Sequence, residues 1–302
     1  MMKKRMKKYS SQTESRLKRT EIEHTPIGSV RTFLTEIEKL ESSGEIYYRG
    51  HGYFGFNAQP SIYRNEGLIE NEHRMYREII TKCPNDFFDA KSTFEHLVKM
   101  QHYFLPSRLL DITKNPLIAL FFACNSEPND DGEILIYDFD IEDVKYYDSD
   151  TVSVISNIAR RPSNFSIENI KNLTKEEFNK EEEVQLLLHE IREEKPYFKP
   201  VVQAKHLESV VCVKPKLDNP RIIKQEGAFL LFGINSNKHQ CAKITGNKQV
   251  FIDSKRLVVT KENKAKILKQ LESLGIMKST IYPEIEHVAT QMKTRYETSI
   301  SS

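Results

Sequence analysis

The chain has 302 residues, of which 38% are hydrophobic, 10% aromatic and 29% charged, with a net charge of +2 at pH 7. That composition supports a folded core and argues against a disordered chain. The near balance of charge gives no global field for nucleic acid or an anionic membrane, and no apolar run approaches the roughly 18 residues a membrane-crossing helix needs.

The elements follow in chain order. Met1–Thr20 carries Lys3, Lys4, Arg5, Lys7, Lys8, Arg16, Lys18 and Arg19 against Glu14 alone, so residues 1–27 are read as a basic, flexible N-terminal arm. An arm that touches phosphate or an acidic partner is the alternative. No apolar segment follows it, which speaks against a secretory leader. The folded domain is expected over 28–302. Val30, Phe33, Leu34, Ile37 and Leu40 recur at helical spacing and predict a helix over Ser29–Ser42, with Ser29 as cap and Gly44 past its end. Glu45–Arg49 reads as a strand that ends in a turn at Gly50–Gly52.

Helices are predicted over Glu70–Lys82, Ser92–Tyr103 and Asn115–Asn125, the last with Pro116 in its first turn. A strand follows at Glu133–Phe139, and Ser153–Glu194 reads as mostly helical, with a solvated acidic face at Glu176–Glu183. Strands are expected at Ser209–Lys214, Gly227–Gly233 and Gln249–Val259, and helices at Lys261–Leu274 and Ile281–Tyr296. Mixed elements without regular strand–helix alternation predict an α+β fold: one mixed domain with a central, mainly antiparallel sheet and flanking helices. No glycine-rich phosphate loop opens a helix. Cys83, Cys124, Cys212 and Cys241 lack metal-ligand spacing, and the nine histidines form no ligand cluster. Free thiols in a cytoplasm and no metal are the expectations.

Polar residues crowd into Gln101–Asn125, QHYFLPSRLLDITKNPLIALFFACN. Gln101, His102, Arg108, Asp111, Thr113 and Asn115 there accompany Leu109, Leu110, Ile112 and Phe121. Buried polar groups cost free energy unless partnered, so the segment reads as the wall of a site. Arg108 and Asp111, three apart in a segment read as loop, are expected either to bond each other or to face a ligand. Upstream, Tyr47–Gly52 sets Arg49 between aromatics and glycines. Its guanidinium suits a phosphate or carboxylate, or else a surface acid. Gln225-Glu226-Gly227 opens an apolar strand and places a carboxylate at its mouth, where general-base or charge-stabilising chemistry is performed; a polar turn is the alternative.

These blocks together resemble the FRG-domain family, named for an aromatic-Arg-Gly motif, here Tyr48-Arg49-Gly50. The run Gln101–Ala123 is similar to the family signature QHYGLPTRLLDWTxNPLVALFFA. It departs at Phe104, where the family has Gly, and at Ile112, where it has Trp. Further likeness lies at Arg221 with Gln225-x-Gly227-x-Phe229, and at Tyr282-Pro283-Glu284-Ile285-Glu286. More remotely, the order of blocks is similar to that of ADP-ribosyltransferases of the Arg–Ser–Glu type. Asp111 stands where that class has Ser, and Gln225 and Gly227 stand where it has a Glu-x-Glu or Gln-x-Glu pair.

That likeness implies an intracellular effector that uses NAD as substrate, of the kind found in bacterial defence or toxicity. It implies Arg49, Thr113, Gln225 and Glu226 as catalytic residues, with Asp111 as a substitute carboxylate. Tyr48, Arg49, Gly50, His51, Gln101, His102, Arg108 and Asp111 would bind the nucleotide, with Tyr47 and Phe104 as further stacking surfaces. A protein or nucleic acid would accept the transferred group. The competing expectations are a non-catalytic module that recognises a nucleotide or nucleic-acid end, and a scaffold in which the same polar residues only fix the core.

Overall fold

A computed structural model describes residues 23–244, 248–284, 289 and 292. Eleven strands are present among them: β1 (His24–Ile27), β2 (Glu45–His51), β3 (Leu109–Thr113), β4 (Gly132–Phe139), β5 (Val144–Tyr146), β6 (Val210–Lys214), β7 (Gly227–Phe232), β8 (Ile234–Asn235), β9 (Asn237–Cys241), β10 (Gln249–Val250) and β11 (Arg256–Val259). Nine of these form one sheet in the order β1-β11-β4-β2-β3-β7-β6-β5, with β10 beside β4, while β8 and β9 form a hairpin. Only the β1–β11 and β5–β6 pairings are parallel. The fold is α+β with a mainly antiparallel central sheet, as the sequence predicts.

The sheet is not evenly stitched. β2 and β4 pair over seven residues, and β3 and β7 over five. Between β2 and β3 a single pair, Tyr48 with Thr113, holds the ladder. A seam therefore runs through the middle of the sheet. Side chains alternate along a strand, and on one face the seam separates two apolar clusters. Tyr48, Ile134, Ile136, Leu257 and Val259 pack against the helices Val30–Ile37, Pro116–Asn125 and Lys261–Ser273. Leu109, Val211, Val213, Phe229 and Leu231 pack against Thr93–His102, Asp150–Ser156 and Glu182–Glu194. The opposite face carries a third cluster that includes Tyr47, Leu110, Ile112, Leu135, Tyr137 and Leu230.

Local signals set most element ends. Ser29 caps Val30–Ile37 in a reciprocal box with Thr32, and Ser92 does the same with Glu95 for Thr93–His102. The first helix stops at Ile37, short of the predicted Ser42. Asn115 accepts from the Leu117 amide and Pro116 opens the helix to Asn125. The predicted strand Gln249–Val259 is broken into β10 and β11 by a turn in which Asp253 and Ser254 both take positive φ. His24–Ile27, placed in the arm by composition, is strand β1; residues 1–22 lie outside the described residues. The predicted helix Ile281–Tyr296 lies mostly outside them too, and Lys278–Ile281 forms one short turn before it.

Two expectations near the motif are corrected. Residues 109–113 are not loop but β3, central in the sheet; Asp111 and Thr113 interrupt the apolar pattern that marks a strand. Gly50 is not in a turn but within β2. A Cβ there would stand 1.9 Å from the Ala119 carbonyl oxygen and 2.6 Å from the Ala123 nitrogen. The glycine admits the helix Pro116–Asn125 against the strand.

Candidate functional site

The seam opens into a cleft. One cavity of about 230 Å3 is bounded by Tyr48, Arg49, Asp111, Phe122, Arg221 and Tyr282. A smaller one of about 30 Å3 adjoins it, sharing Asp111, Ile112, Arg221 and Gln225, and reaches Gln101 and His102. The site thus combines the strand edges of the seam with the helix end Gln101-His102 and the short helix Pro220–Lys224.

Arg49 stands on the face of β2 shared with Tyr47 and His51, and its guanidinium fills the seam. Nη1 donates to the Asp111 carbonyl oxygen at 2.6 Å, and Nε donates to His51 Nε2 at 3.0 Å. The second contact makes Nε2 the acceptor and puts the ring proton on Nδ1. Loss of hydration lowers the Arg49 pKa, and the Asp111 carboxylate works against that shift.

Asp111 is exposed to the cleft and held by a relay. Gln101 Nε2 donates to Asp111 Oδ2 at 2.9 Å, Ser107 Oγ donates to Gln101 Oε1 at 2.9 Å, and the Leu109 amide donates to Ser107 Oγ at 3.1 Å. Ser107 and Gln101 of the motif therefore serve to aim one carboxylate. Tyr48 and Tyr282 have raised pKa values through burial.

Three residues singled out from the sequence find partners within the protein. Arg108 has no exposure and does not reach the cleft or Asp111. Its Nη2 donates to Glu72 Oε2 at 2.6 Å and its Nη1 to the Tyr63 hydroxyl at 2.8 Å, with Lys238 Nζ 3.1 Å from the same Glu72 oxygen. Buried charge requires a partner, and this one comes from 36 residues upstream. Thr113 lines the cavity at the seam, and its Oγ1 donates to the Gln225 carbonyl oxygen at 2.6 Å and accepts from the Asn115 amide at 3.0 Å, so backbone occupies its hydroxyl. Glu226 takes φ of +44° and is exposed; its carboxylate accepts from Asn115 Nδ2 at 2.8 Å and does not line the cleft. Gln225 does line it, with Nε2 donating to the Ile281 carbonyl at 3.3 Å.

His51 is buried beside Arg49 and supports it from behind. His102 is half-buried on the cleft wall, with Nε2 3.9 Å from Glu284 Oε1. Burial lowers its pKa first, Arg221 adds to this, and Glu284 opposes it.

Arg221 has the clearest role that motif reading left unassigned. Its guanidinium carbon lies 4.7 Å from the Tyr282 ring centroid and 5.5 Å from that of Phe104. Tyr282 and Phe122 meet edge to face at 6.2 Å and complete an aromatic wall. Arg221 and Tyr282 both lie in the secondary likeness blocks, which was the signal available. The cleft therefore offers two guanidiniums, one aimed carboxylate and aromatic walls. Such a set suits a ligand that is anionic in one part and aromatic in another.

An α+β domain with a split sheet and a polar cleft at the split is the class that fold and site define. Residues 44–132 match the family model of the FRG domain, so the chain carries an FRG domain over that stretch. The matched stretch runs from the residue before β2 to the first residue of β4, so it contains Arg49, Asp111 and the relay but not Arg221, Gln225 or Tyr282. No curated protein and no solved structure matches the chain. Among the described residues no helix is long and apolar enough to cross a membrane.

Proposed function

We propose that the seam cleft binds the nicotinamide-riboside diphosphate part of NAD and that the protein cleaves the nicotinamide–ribose bond, as an ADP-ribosyltransferase or NAD glycohydrolase. The observation that carries this reading is the placement of the Asp111 carboxylate in one cleft with Arg49 and Arg221. The guanidiniums hold the pyrophosphate. Tyr48, Phe122 and Tyr282 supply surfaces for the nicotinamide ring. As the C1′–N bond breaks, positive charge grows on the ribose, and a fixed carboxylate stabilises it. Asp111 performs that role in place of Glu226, because Gln101 aims it into the cleft while Glu226 is turned toward Asn115. The cavity of about 230 Å3 is smaller than sites that enclose a whole drug-sized ligand, so the adenosine end lies at its mouth.

Nicotinamide release from labelled NAD tests this reading. Wild type should release it, Asp111→Asn and Arg49→Ala should not, and Glu226→Gln should. A folded wild type that neither releases nicotinamide nor is thermally stabilised by NAD would overturn it. A role as an effector in bacterial defence or toxicity rests on the family likeness, and a cytoplasmic setting is supported by four free cysteines. Growth arrest on expression, relieved by Asp111→Asn, would support the effector role.

A second reading has one observation in its favour: the Thr113 hydroxyl, expected to act on substrate, is committed to backbone. Under it the same cleft recognises a nucleotide without cleaving it, and NAD or another nucleotide stabilises the fold with no release of nicotinamide.

A further inference from the structure

Next to the cleft lies a third cavity, of about 440 Å3, between the helix Thr93–His102 and the segment 215–220. It shares two residues, Val98 and His102, with the inner cavity that holds Asp111. His102 therefore stands at the boundary between the place where the ribose is held and an opening that the NAD reading does not use. A transfer reaction has two substrates, and a second mouth ending at an imidazole suits the second of them.

We infer that His102 is the general base for an O–H acceptor, water or an alcohol, which enters through this outer groove. The inference rests on the NAD reading above. The imidazole takes the acceptor proton at Nε2, the acceptor oxygen bonds to ribose C1′, and the C1′–N bond breaks with its electron pair leaving on neutral nicotinamide. Glu284, whose Oε1 is 3.9 Å from Nε2, stabilises the imidazolium that results. The neutral ring that this step needs is favoured by burial and by Arg221. The groups facing His102 are Glu284 after the helix Lys278–Ile281, Arg221 on Pro220–Lys224, and the Tyr103 ring at 4.9 Å.

The test uses the full chain and NAD, with water and added methanol as the acceptor probes. Two quantities are read: the NAD-induced rise in melting temperature and the rate of nicotinamide release against pH. His102→Ala should keep the NAD-induced rise and lose at least tenfold in rate. Added imidazole should recover part of that rate, since the groove is open to small molecules. Wild type should show an acid limb below the ordinary histidine value of about 6.5, and His102→Ala should lack it. Methanol should yield the methyl glycoside of ADP-ribose in wild type. An NAD-induced rise and turnover in wild type, with the His102→Ala rate unchanged, or lost without imidazole recovery, would overturn the role of His102 alone. No turnover in wild type, with or without the rise, would overturn it together with the proposed enzyme activity.

Discussion

Arg49 on β2 reaches across the seam to the carbonyl oxygen of Asp111 on β3, 2.6 Å from its Nη1. A side chain here takes the place of ladder hydrogen bonds that the strands do not make. The same guanidinium is a cation of the cleft, so sheet closure and the proposed anion binding would share one residue. Arg49→Ala should therefore lower stability by about 2 kcal/mol, the order of a hydrogen bond from a charged donor, and weaken ligand binding as well. Urea unfolding and ligand titration on the same variant measure the two effects.

Phe104 sits where the related pattern has Gly, and its φ is +60° at 77% exposure. An L residue in that conformation costs about 1–2 kcal/mol, and glycine returns part of this as backbone entropy. Phe104→Gly should raise stability by about 0.5–1 kcal/mol, with the lost contact to Arg221 trimming the gain. Thermal melts of the two proteins decide it, and a drop in melting temperature would mean that the Arg221 contact outweighs the strain.

Gly50 tests the packing account of the motif. A methyl group at this position overlaps the backbone of the helix Pro116–Asn125, which has no room to yield against β2. Gly50→Ala should cost about 3 kcal/mol, at the upper end for overpacking. It should also displace Tyr48 and Arg49 and so reduce binding. A stable Gly50→Ala protein with normal binding would overturn the packing account.

Acid should unfold the protein through two carboxylates. Burial would raise the pKa of Glu45, yet hydrogen bonds from Lys114, Lys214 and Tyr47 hold it down at about 2. Burial also opposes ionisation of Glu72, and Arg108 with Lys238 overcomes it to leave the pKa below the usual carboxylate range. Folded-state values below the unfolded value of about 4.5 stabilise fully above that pH, and the contribution disappears as pH falls toward 2. Melting temperature should therefore decline over that window. Glu72→Gln should remove part of the slope and cost about 3–5 kcal/mol at neutral pH, because it strands Arg108 and Lys238.

What was legible in the sequence is the segment around Gln101–Asn125 as the wall of a cleft. Gln101, Asp111 and Arg49 do meet, and the lack of regular strand–helix alternation points to the right fold class. The errors share a cause. Arg108 looks like a ligand residue until Glu72 is placed beside it, and nothing local links the two. Thr113 and Gly50 both line the cavity and also bond or pack within the sheet, a second duty that polar groups and glycines do not announce in a sequence. β3 was hidden because Asp111 faces a cleft, which breaks the period-2 pattern that defines a half-buried strand. Arg221 and Tyr282 come from more than 100 residues downstream, where no local signal marks them as neighbours of Asp111.

The single Tyr48–Thr113 pair has a mechanical consequence. On one face each half of the sheet rests on its own helices and its own apolar cluster, while on the other a single cluster spans the line between β2 and β3. In the proposed NAD complex Arg49 would anchor the ligand to one half and Arg221 to the other. A molecule lodged between them would act as a rivet across that line on the cleft side, opposite the apolar cluster that already spans it.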